Sequence, residues 1–146
     1  MSARRQARPR KCVLDANALV GFLEDRSGVA RRVQDLFEQA LRDDLPVLMS
    51  AVTWGEVFYI EWRYRGETDA YRAETRLRQL PIEIVAVDQE RATRAGALKQ
   101  KHGLAYADSF AAELAIERGA WLVTADPEFE SVGKELSVIS LPRYQK

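Results

Sequence analysis

The sequence predicts an α/β domain: a three-layer α/β/α sandwich around a central, mainly parallel sheet of four to five strands. Two observations lead to this prediction. Short apolar segments rich in β-branched residues alternate with longer segments whose apolar residues recur at helical spacing. Strands separated by helices need crossover connections, which place helices on both faces of a parallel sheet. The 146 residues are enough for one such domain with a buried core and too few for two.

Apolar runs and helix-terminating residues place the elements along the chain. The strands are predicted at residues 12–15, 46–50, 82–87 and 121–124, with a possible fifth at 136–140. Asn17, Thr68 and Asp88 have the side chains that cap the N-termini of helices. The helices between the strands are predicted at 18–23, 29–43, 52–65, 69–80, 89–102 and 107–118.

Composition excludes several classes of protein. Apolar residues make up 47% and charged residues 30% of the chain, which is the balance of a folded domain. The apolar runs are far shorter than the ~20 residues that a membrane span needs, and the N-terminal residues lack the apolar region of a secretory signal. A single cysteine cannot form an intrachain disulfide. We therefore expect a cytoplasmic protein that is not bound to a membrane.

Charge is balanced overall but not locally. The 22 basic and 22 acidic residues give a net charge of zero, whereas a protein that only binds nucleic acid is usually basic. An enzyme that gathers carboxylates around a cation need not be basic, because the cation supplies positive charge. Residues 1–11 are basic and without hydrophobic period, so they are predicted to be a flexible extension of a domain that covers 12–146.

Four acidic residues are predicted to meet at one edge of the sheet. Asp15 ends the first strand and Asp126 follows the fourth. Glu56 lies one turn into the helix after the second strand, and Asp108 lies at the start of a later helix. Ligands of parallel α/β folds bind outside the carboxyl ends of the strands. The four acids are therefore candidates for one shared site.

Each of these acids also has an ordinary structural explanation, as a helix cap, a surface residue, a partner of a helix dipole or a turn residue. Those explanations are weaker together, because Glu56 and Asp108 lie among apolar neighbours, where a lone carboxylate is costly. Carboxylates this close raise one another's pKa unless a cation lies among them. Mg²⁺ and Mn²⁺ prefer oxygen ligands and can activate water against a phosphodiester.

Four segments of the chain resemble the motifs of PIN-domain ribonucleases, and they occur in the family's order. They are residues 13–17 (VLDAN), 50–57 (SAVTWGEV), 103–112 (GLAYADSFAA) and 122–129 (LVTADPEF). Together they span nearly all of the chain after Lys11. Two features depart from the pattern: the basic extension is long, and Tyr106 stands where a smaller residue is common.

Among PIN domains, the chain most resembles the VapC toxins of toxin–antitoxin pairs. The resemblance implies an endoribonuclease that depends on Mg²⁺, with Mn²⁺ as a substitute. It also implies a homodimer, and inhibition by a VapB-like antitoxin that covers the active site. By this match Asp15 and Asp108 are the principal metal ligands, Glu56 and Asp126 complete the acidic cluster, and Asn17 and Thr124 orient ligands or water.

Two other functions remain open on the residues alone. One is a non-cleaving PIN-like scaffold that binds RNA or protein, although binding alone does not require four anionic groups facing an anionic ligand. The other is a haloacid-dehalogenase-like phosphatase with Asp15 as nucleophile, although Asn17 occupies the position where that class has a second Asp. Arg72 and Arg76, in a region of mixed charge, are candidates for contacts with the RNA backbone.

Overall fold

The computed structural model describes residues 11–143, so the predicted extension lies outside the described residues apart from Lys11. This part of the chain contains five strands and six α-helices. Two helices lie between each consecutive pair of the first four strands, and one 3-10 segment lies between the last two strands. No helix among these residues is both long and apolar enough to cross a membrane. In chain order the elements are β1 (Cys12–Leu14), α1 (Ala16–Leu23), α2 (Ala30–Asp43), β2 (Val47–Ser50), α3 (Ala51–Arg65), α4 (Glu67–Leu77), β3 (Ile82–Val85), α5 (Gln89–His102), α6 (Tyr106–Arg118), β4 (Trp121–Thr124), the 3-10 segment (Pro127–Glu135) and β5 (Val138–Ser140).

The five strands form one parallel sheet in the order β3-β2-β1-β4-β5. The central strand β1 pairs with both β2 and β4, with Val13 opposite Leu48 on one side and Leu122 on the other. Because all strands run the same way, their carboxyl ends lie at one edge of the sheet. The predicted parallel sheet is confirmed, including its fifth strand.

Helices cover both faces of the sheet, as predicted. Alternate residues of β1 point to opposite faces, so Cys12 and Leu14 pack in one core while Val13 packs in the other. The first core is closed by residues of α1, α2, α3 and α4, and the second by residues of α5, α6 and the 3-10 segment. The central strand is thus buried on both faces, which explains its uninterrupted apolar sequence.

Two of the predicted helix caps are wrong, and one is confirmed. Asp15 caps α1 in place of Asn17, because the chain enters the helix immediately after the strand and Asp15 is the residue with extended backbone angles (φ −88°, ψ 174°). Thr68 lies inside α4, which starts at Glu67 after Gly66. Gly66 has φ +92°, a conformation that favours glycine and lets α3 turn directly into α4. Asp88 caps α5 as predicted.

Candidate active site

Asp15 is held rigidly at the carboxyl end of the central strand. It is 1% exposed, and its Oδ1 accepts a hydrogen bond from the backbone N–H of Ala18 at 2.8 Å. Its Oδ2 accepts a hydrogen bond from the Thr124 hydroxyl. Both carboxylate oxygens therefore have fixed partners, and the side chain has one orientation.

Thr124 links the ends of two neighbouring strands. It is the last residue of β4, which pairs with β1 so that Leu14 lies opposite Val123. Its hydroxyl donates to Asp15 and accepts a hydrogen bond from the backbone N–H of Asp126 at 2.9 Å. One buried hydroxyl thus fixes the spacing between the acid that follows β1 and the acid that follows β4.

Glu56 and Asp108 reach the same edge of the sheet from two helices, α3 and α6, that pack against each other. Both acids are partly buried. They line a cleft of about 230 Å³ together with Asp126 and Asn17, and the remaining walls come from Ala16, Val20, Arg26 and Ile60. Three of the four predicted acids therefore line one cleft with Asn17, and Asp15 lies close enough to all three for their charges to repel. Thr124 lies behind the cleft and reaches it through its bonds to Asp15 and Asp126.

Glu128 is a fifth acid in this cluster, and sequence reasoning missed it. Carboxylate oxygens of Asp108, Asp126 and Glu128 lie within 4.8 Å of one another. Asp126 Oδ1 accepts from the backbone N–H of Glu128 at 2.9 Å, and Glu128 Oε1 accepts from the N–H of Ala105 just before α6. The available signal was the spacing: an Asp that caps a helical turn brings the residue two positions later back beside it.

Burial and mutual repulsion raise the pKa of Asp15 to about 7. Burial is the largest cause, and the repulsion of Asp126 and Glu56 adds to it. The hydrogen bonds from Thr124 and Ala18 act in the opposite direction, because they stabilise the charged form. Unless positive charge lies nearby, the Asp15 carboxyl therefore keeps its proton to a much higher pH than an ordinary aspartate does.

Asp108 is perturbed further, with its pKa raised to about 8. Burial is again the largest cause, followed by a hydrogen bond shared with the Glu128 carboxyl and by the repulsion of Glu128, Glu56 and Asp15. The pKa of Glu56 is raised by burial first and then by Glu128. Groups whose pKa values are displaced together in one cleft are typical of functional sites.

The residues present fit a hard divalent cation. The donor atoms are carboxylate oxygens, which are the ligands that such cations prefer. A cation among them would replace repulsion by attraction and return the raised pKa values toward their ordinary range. The three acids whose oxygens lie closest together, Asp108, Asp126 and Glu128, could hold it, with Asp15 and Glu56 adjacent.

The predicted RNA-contacting arginines lie on α4 and are not among the residues that line the cleft. Arg72 makes an exposed ion pair with Asp69 at 3.6 Å. The guanidinium of Arg76 lies over the ring of Phe22, 5.0 Å from its centroid. The basic residue at the cleft itself is Arg26, which sequence reasoning did not identify. It lies in the loop between α1 and α2, where no motif predicts its direction.

A family model of the PIN domain matches residues 12–135 of the chain. The chain belongs to the PIN domain family, and the resemblance on which the sequence prediction was based is confirmed. The match covers all four acidic motifs, including the segment that holds Asp126 and Glu128. No curated protein matches the chain by sequence.

Solved structures share the fold over almost their whole length. A chain of VapBC2 from Rickettsia felis, bound to a DNA fragment from its promoter, matches with a TM-score of 0.68 and 16% identity, over 89% of this chain and 98% of that one. A chain of DNA-bound VapBC from Salmonella typhimurium matches with a TM-score of 0.68 and 17% identity, over 90% and 98%. Mycobacterium tuberculosis VapC20, described as a toxin that cleaves the sarcin-ricin loop, matches with a TM-score of 0.63 and 17% identity, over 84% and 95%.

Proposed function

We propose that the chain is a metal-dependent endoribonuclease that hydrolyses phosphodiester bonds of RNA. The observation that supports this most strongly is the group of five carboxylates at the carboxyl edge of the sheet, two of which have pKa values near or above neutrality. Buried acids that repel one another destabilise a protein, and a bound cation removes that cost. An anionic substrate also requires positive charge at this acidic cleft.

In this proposal Asp15 and Asp108 are the principal ligands of the cation, with Glu56 and Asp126 completing the set. Glu128 joins them because its carboxylate lies beside those of Asp108 and Asp126. Mg²⁺ is the proposed cation and Mn²⁺ its substitute, since both take oxygen ligands.

The cation would lower the pKa of a bound water and neutralise charge on the phosphate. The chain's own residues prepare the site for this chemistry. Thr124 and the N–H of Ala18 hold Asp15 in one orientation, so little rearrangement is needed when substrate arrives. Val20 and Ile60 add apolar side chains to the lining of the cleft, and apolar surroundings strengthen electrostatic interactions. The Asn17 amide lines the cleft and can orient a water or a phosphate oxygen.

We also propose that the enzyme is the toxin of a type II toxin–antitoxin pair and acts in the cytoplasm. Its similarity to chains of VapBC complexes, over 98% of their length, supports this assignment. In such a pair a VapB-like antitoxin would inhibit the enzyme by covering the acidic cleft. Coexpression with an antitoxin encoded beside the toxin should abolish cleavage of RNA, and cleavage that persists in the complex would contradict the proposal.

A homodimer through the aromatic surface of α3 and α4 is part of the proposal. The rings of Phe58 and Tyr71 lie 5.1 Å apart, and those of Phe58 and Trp62 lie 5.8 Å apart. Trp62 is 42% exposed and Tyr71 is 52% exposed, and exposed apolar patches mark interaction surfaces. Trp62→Glu should convert a dimer to a monomer, as measured by light scattering during gel filtration. An unchanged mass would place the dimer surface elsewhere.

Arg72 and Arg76 are proposed to contact the RNA backbone beyond the cleft. Replacing both with Ala should weaken RNA binding and reduce its dependence on salt, because each lost phosphate contact removes counterion release. If affinity and salt dependence are unchanged, these arginines belong to a solvated face.

The deciding experiment compares the parent chain with Asp108→Asn on a mixed RNA pool, in Mg²⁺, in Mn²⁺ and in EDTA. Asn keeps the size of the side chain but removes the charge that holds a cation. Asp88→Asn is the matched control, since Asp88 is an exposed helix cap outside the cleft. Cleavage that requires metal, and is lost only in Asp108→Asn, is the expected result. Equal cleavage by all three proteins would indicate a contaminant, and metal binding without any cleavage would favour the non-cleaving scaffold.

A further inference from the structure

We propose that Arg26 binds a phosphate of the RNA strand that enters the acidic cleft. This inference concerns the substrate contacts of the site and rests on the proposed ribonuclease function. Arg26 lines the cleft together with Asn17, Glu56, Asp108 and Asp126. Among the described residues that line the cleft, Arg26 is the only basic residue. A polyanionic strand at this cleft would otherwise meet mainly carboxylates.

The backbone around Arg26 fixes its position relative to α1. The N–H of Arg26 donates to the carbonyl of Gly21 at 2.9 Å, and its own carbonyl accepts from the N–H of Val29 at 3.1 Å and of Ala30 at 3.0 Å. Gly21 permits this close approach, since a Cβ there would lie 2.7 Å from Val29 Cγ1 and 3.5 Å from Arg26 Cδ. The loop therefore folds back tightly on the helix that starts at Asp15.

The side chain of Arg26 is also oriented. Its Nε donates to Glu24 Oε2 at 2.8 Å, and its Nη2 lies 2.8 Å from the same oxygen. The Arg26 side chain is 21% exposed, so solvent and ligand can still reach it. A guanidinium held in one orientation loses little conformational entropy on binding, and its planar array of donors matches phosphate oxygens.

The chemistry of the cleft requires a group of this kind. A divalent cation would offset only part of the charge of the carboxylates, whereas an RNA strand brings a phosphate at every nucleotide. Arginine is the side chain best suited to binding a further phosphate through paired N–H donors. We therefore assign Arg26 to the positioning of the strand.

The test measures equilibrium binding of a labelled single-stranded RNA by fluorescence anisotropy, over a range of salt concentrations. Ca²⁺ replaces Mg²⁺, and a denaturing gel checks that the RNA stays intact. Arg26→Gln should bind about 10-fold more weakly, the loss of one charge-assisted hydrogen-bonded contact. The slope of log affinity against log salt should fall by about 0.7, the contribution of one single-strand phosphate. Unchanged affinity and slope would overturn the proposal.

Two control variants separate phosphate binding from structural effects. Glu24→Gln breaks the same ion pair but keeps the guanidinium, so it should bind RNA within about twofold of the parent, less than one hydrogen bond's effect. Arg31→Gln removes an equal charge from a side chain on α2 that is 85% exposed and pairs with Asp35, and it should behave like the parent. If either control loses as much affinity as Arg26→Gln, Arg26 is a structural or general charge contributor and the proposal fails.

If Arg26→Gln does not fold, Arg26→Lys provides a second test of the proposal. Lysine keeps the charge but loses the planar pair of donors, so affinity should fall by a smaller factor while the salt slope stays constant. Parent-like affinity in Arg26→Lys would remove the proposed role of the guanidinium. The proposed function and this inference can fail separately. A parent chain that binds RNA through Arg26 but does not cut it would refute the nuclease function and leave this inference standing. If Arg26→Gln binds RNA as tightly as the parent and the parent cuts RNA, only this inference is refuted.

Discussion

Replacing Asp15 with Asn should stabilise the metal-free protein, and more so as the pH rises. Burial raises the pKa of Asp15 from 3.8 to about 7 in the folded state. A carboxyl whose pKa is raised by folding stabilises the fold only while it is protonated. That contribution is complete below pH 3.8 and is lost as the pH rises through about 7.

The size of the effect follows from the two pKa values. A difference of about three between them corresponds to about 4 kcal/mol of unfolding free energy at pH 8, and to about 1 kcal/mol at pH 4.5. Asn is neutral at every pH, and it caps helices as well as Asp does. Its carbonyl oxygen can keep the bond from Ala18, and its amide can donate to the Thr124 hydroxyl, although the proton of that hydroxyl then loses the acceptor it has in Asp15. The stability of Asp15→Asn relative to the parent should therefore rise by about 3 kcal/mol from pH 4.5 to pH 8, and Asp15→Asn should be the more stable protein at pH 8.

Urea unfolding followed by tryptophan fluorescence gives the measurement, since the chain has three tryptophans. In EDTA at pH 8, the free energy of unfolding of Asp15→Asn should exceed that of the parent. In Mg²⁺ at 100 times its Kd the parent should gain about 2.7 kcal/mol, and the variant should gain much less. Asp88→Asn serves as the control for a helix cap alone, because Asp88 Oδ1 makes the same 2.8 Å bond to a backbone N–H on the surface. A variant that loses equal stability at both pH values, with and without metal, would mean that Asp15 is only a cap.

The remaining predictions concern three other buried or partly buried polar groups. Thr124→Val removes the hydroxyl bonded to Asp15, so the free energy of unfolding should fall by about 1–3 kcal/mol. The affinity for Mn²⁺ should fall with it. Thr124→Ser keeps a hydroxyl and should restore both quantities, measured by chemical denaturation and by metal titration. Glu128→Gln removes a repelling charge beside Asp108, so the pKa of Asp108, followed by carboxyl-carbon NMR, should fall. An unchanged pKa would mean that Glu128 does not interact with Asp108. Glu61 is 3% exposed, its Oε1 accepts no hydrogen bond from the described residues, and burial raises its pKa. Glu61→Gln should consequently stabilise the protein more at pH 8 than at pH 4.5 in chemical denaturation, and an equal effect at both would contradict this.

The sequence pattern was sufficient to predict the parallel sheet and the position of two of the acids. Uninterrupted apolar runs separated by helices require a parallel sheet buried on both faces, and the carboxyl ends of its strands must share one edge. Asp15 comes directly after β1 and Asp126 two residues after the end of β4, so their place at that edge follows from chain order.

Glu56 and Asp108 were predicted less directly. Successive helical residues point about 100° apart, so the rotation of a helix decides whether a given acid faces the cleft or the solvent. The packing of α3 against α6 decides this here, and sequence alone supplied only the apolar neighbours and the family motifs as signals.

Arg26 depended on tertiary structure alone, whereas Glu128 is placed by a local turn whose spacing the sequence analysis did not use. Glu128 reaches the cluster because a turn after Asp126 folds back toward the start of α6. Arg26 reaches it because a loop folds onto α1 over Gly21. Periodicity determines the direction of a side chain within a strand or helix, but it carries no information about a loop, whose direction is set by contacts with residues distant in sequence. The identity of the domain could therefore be read from the order of its residues, whereas the full complement of charges around its cleft was decided by the folded chain.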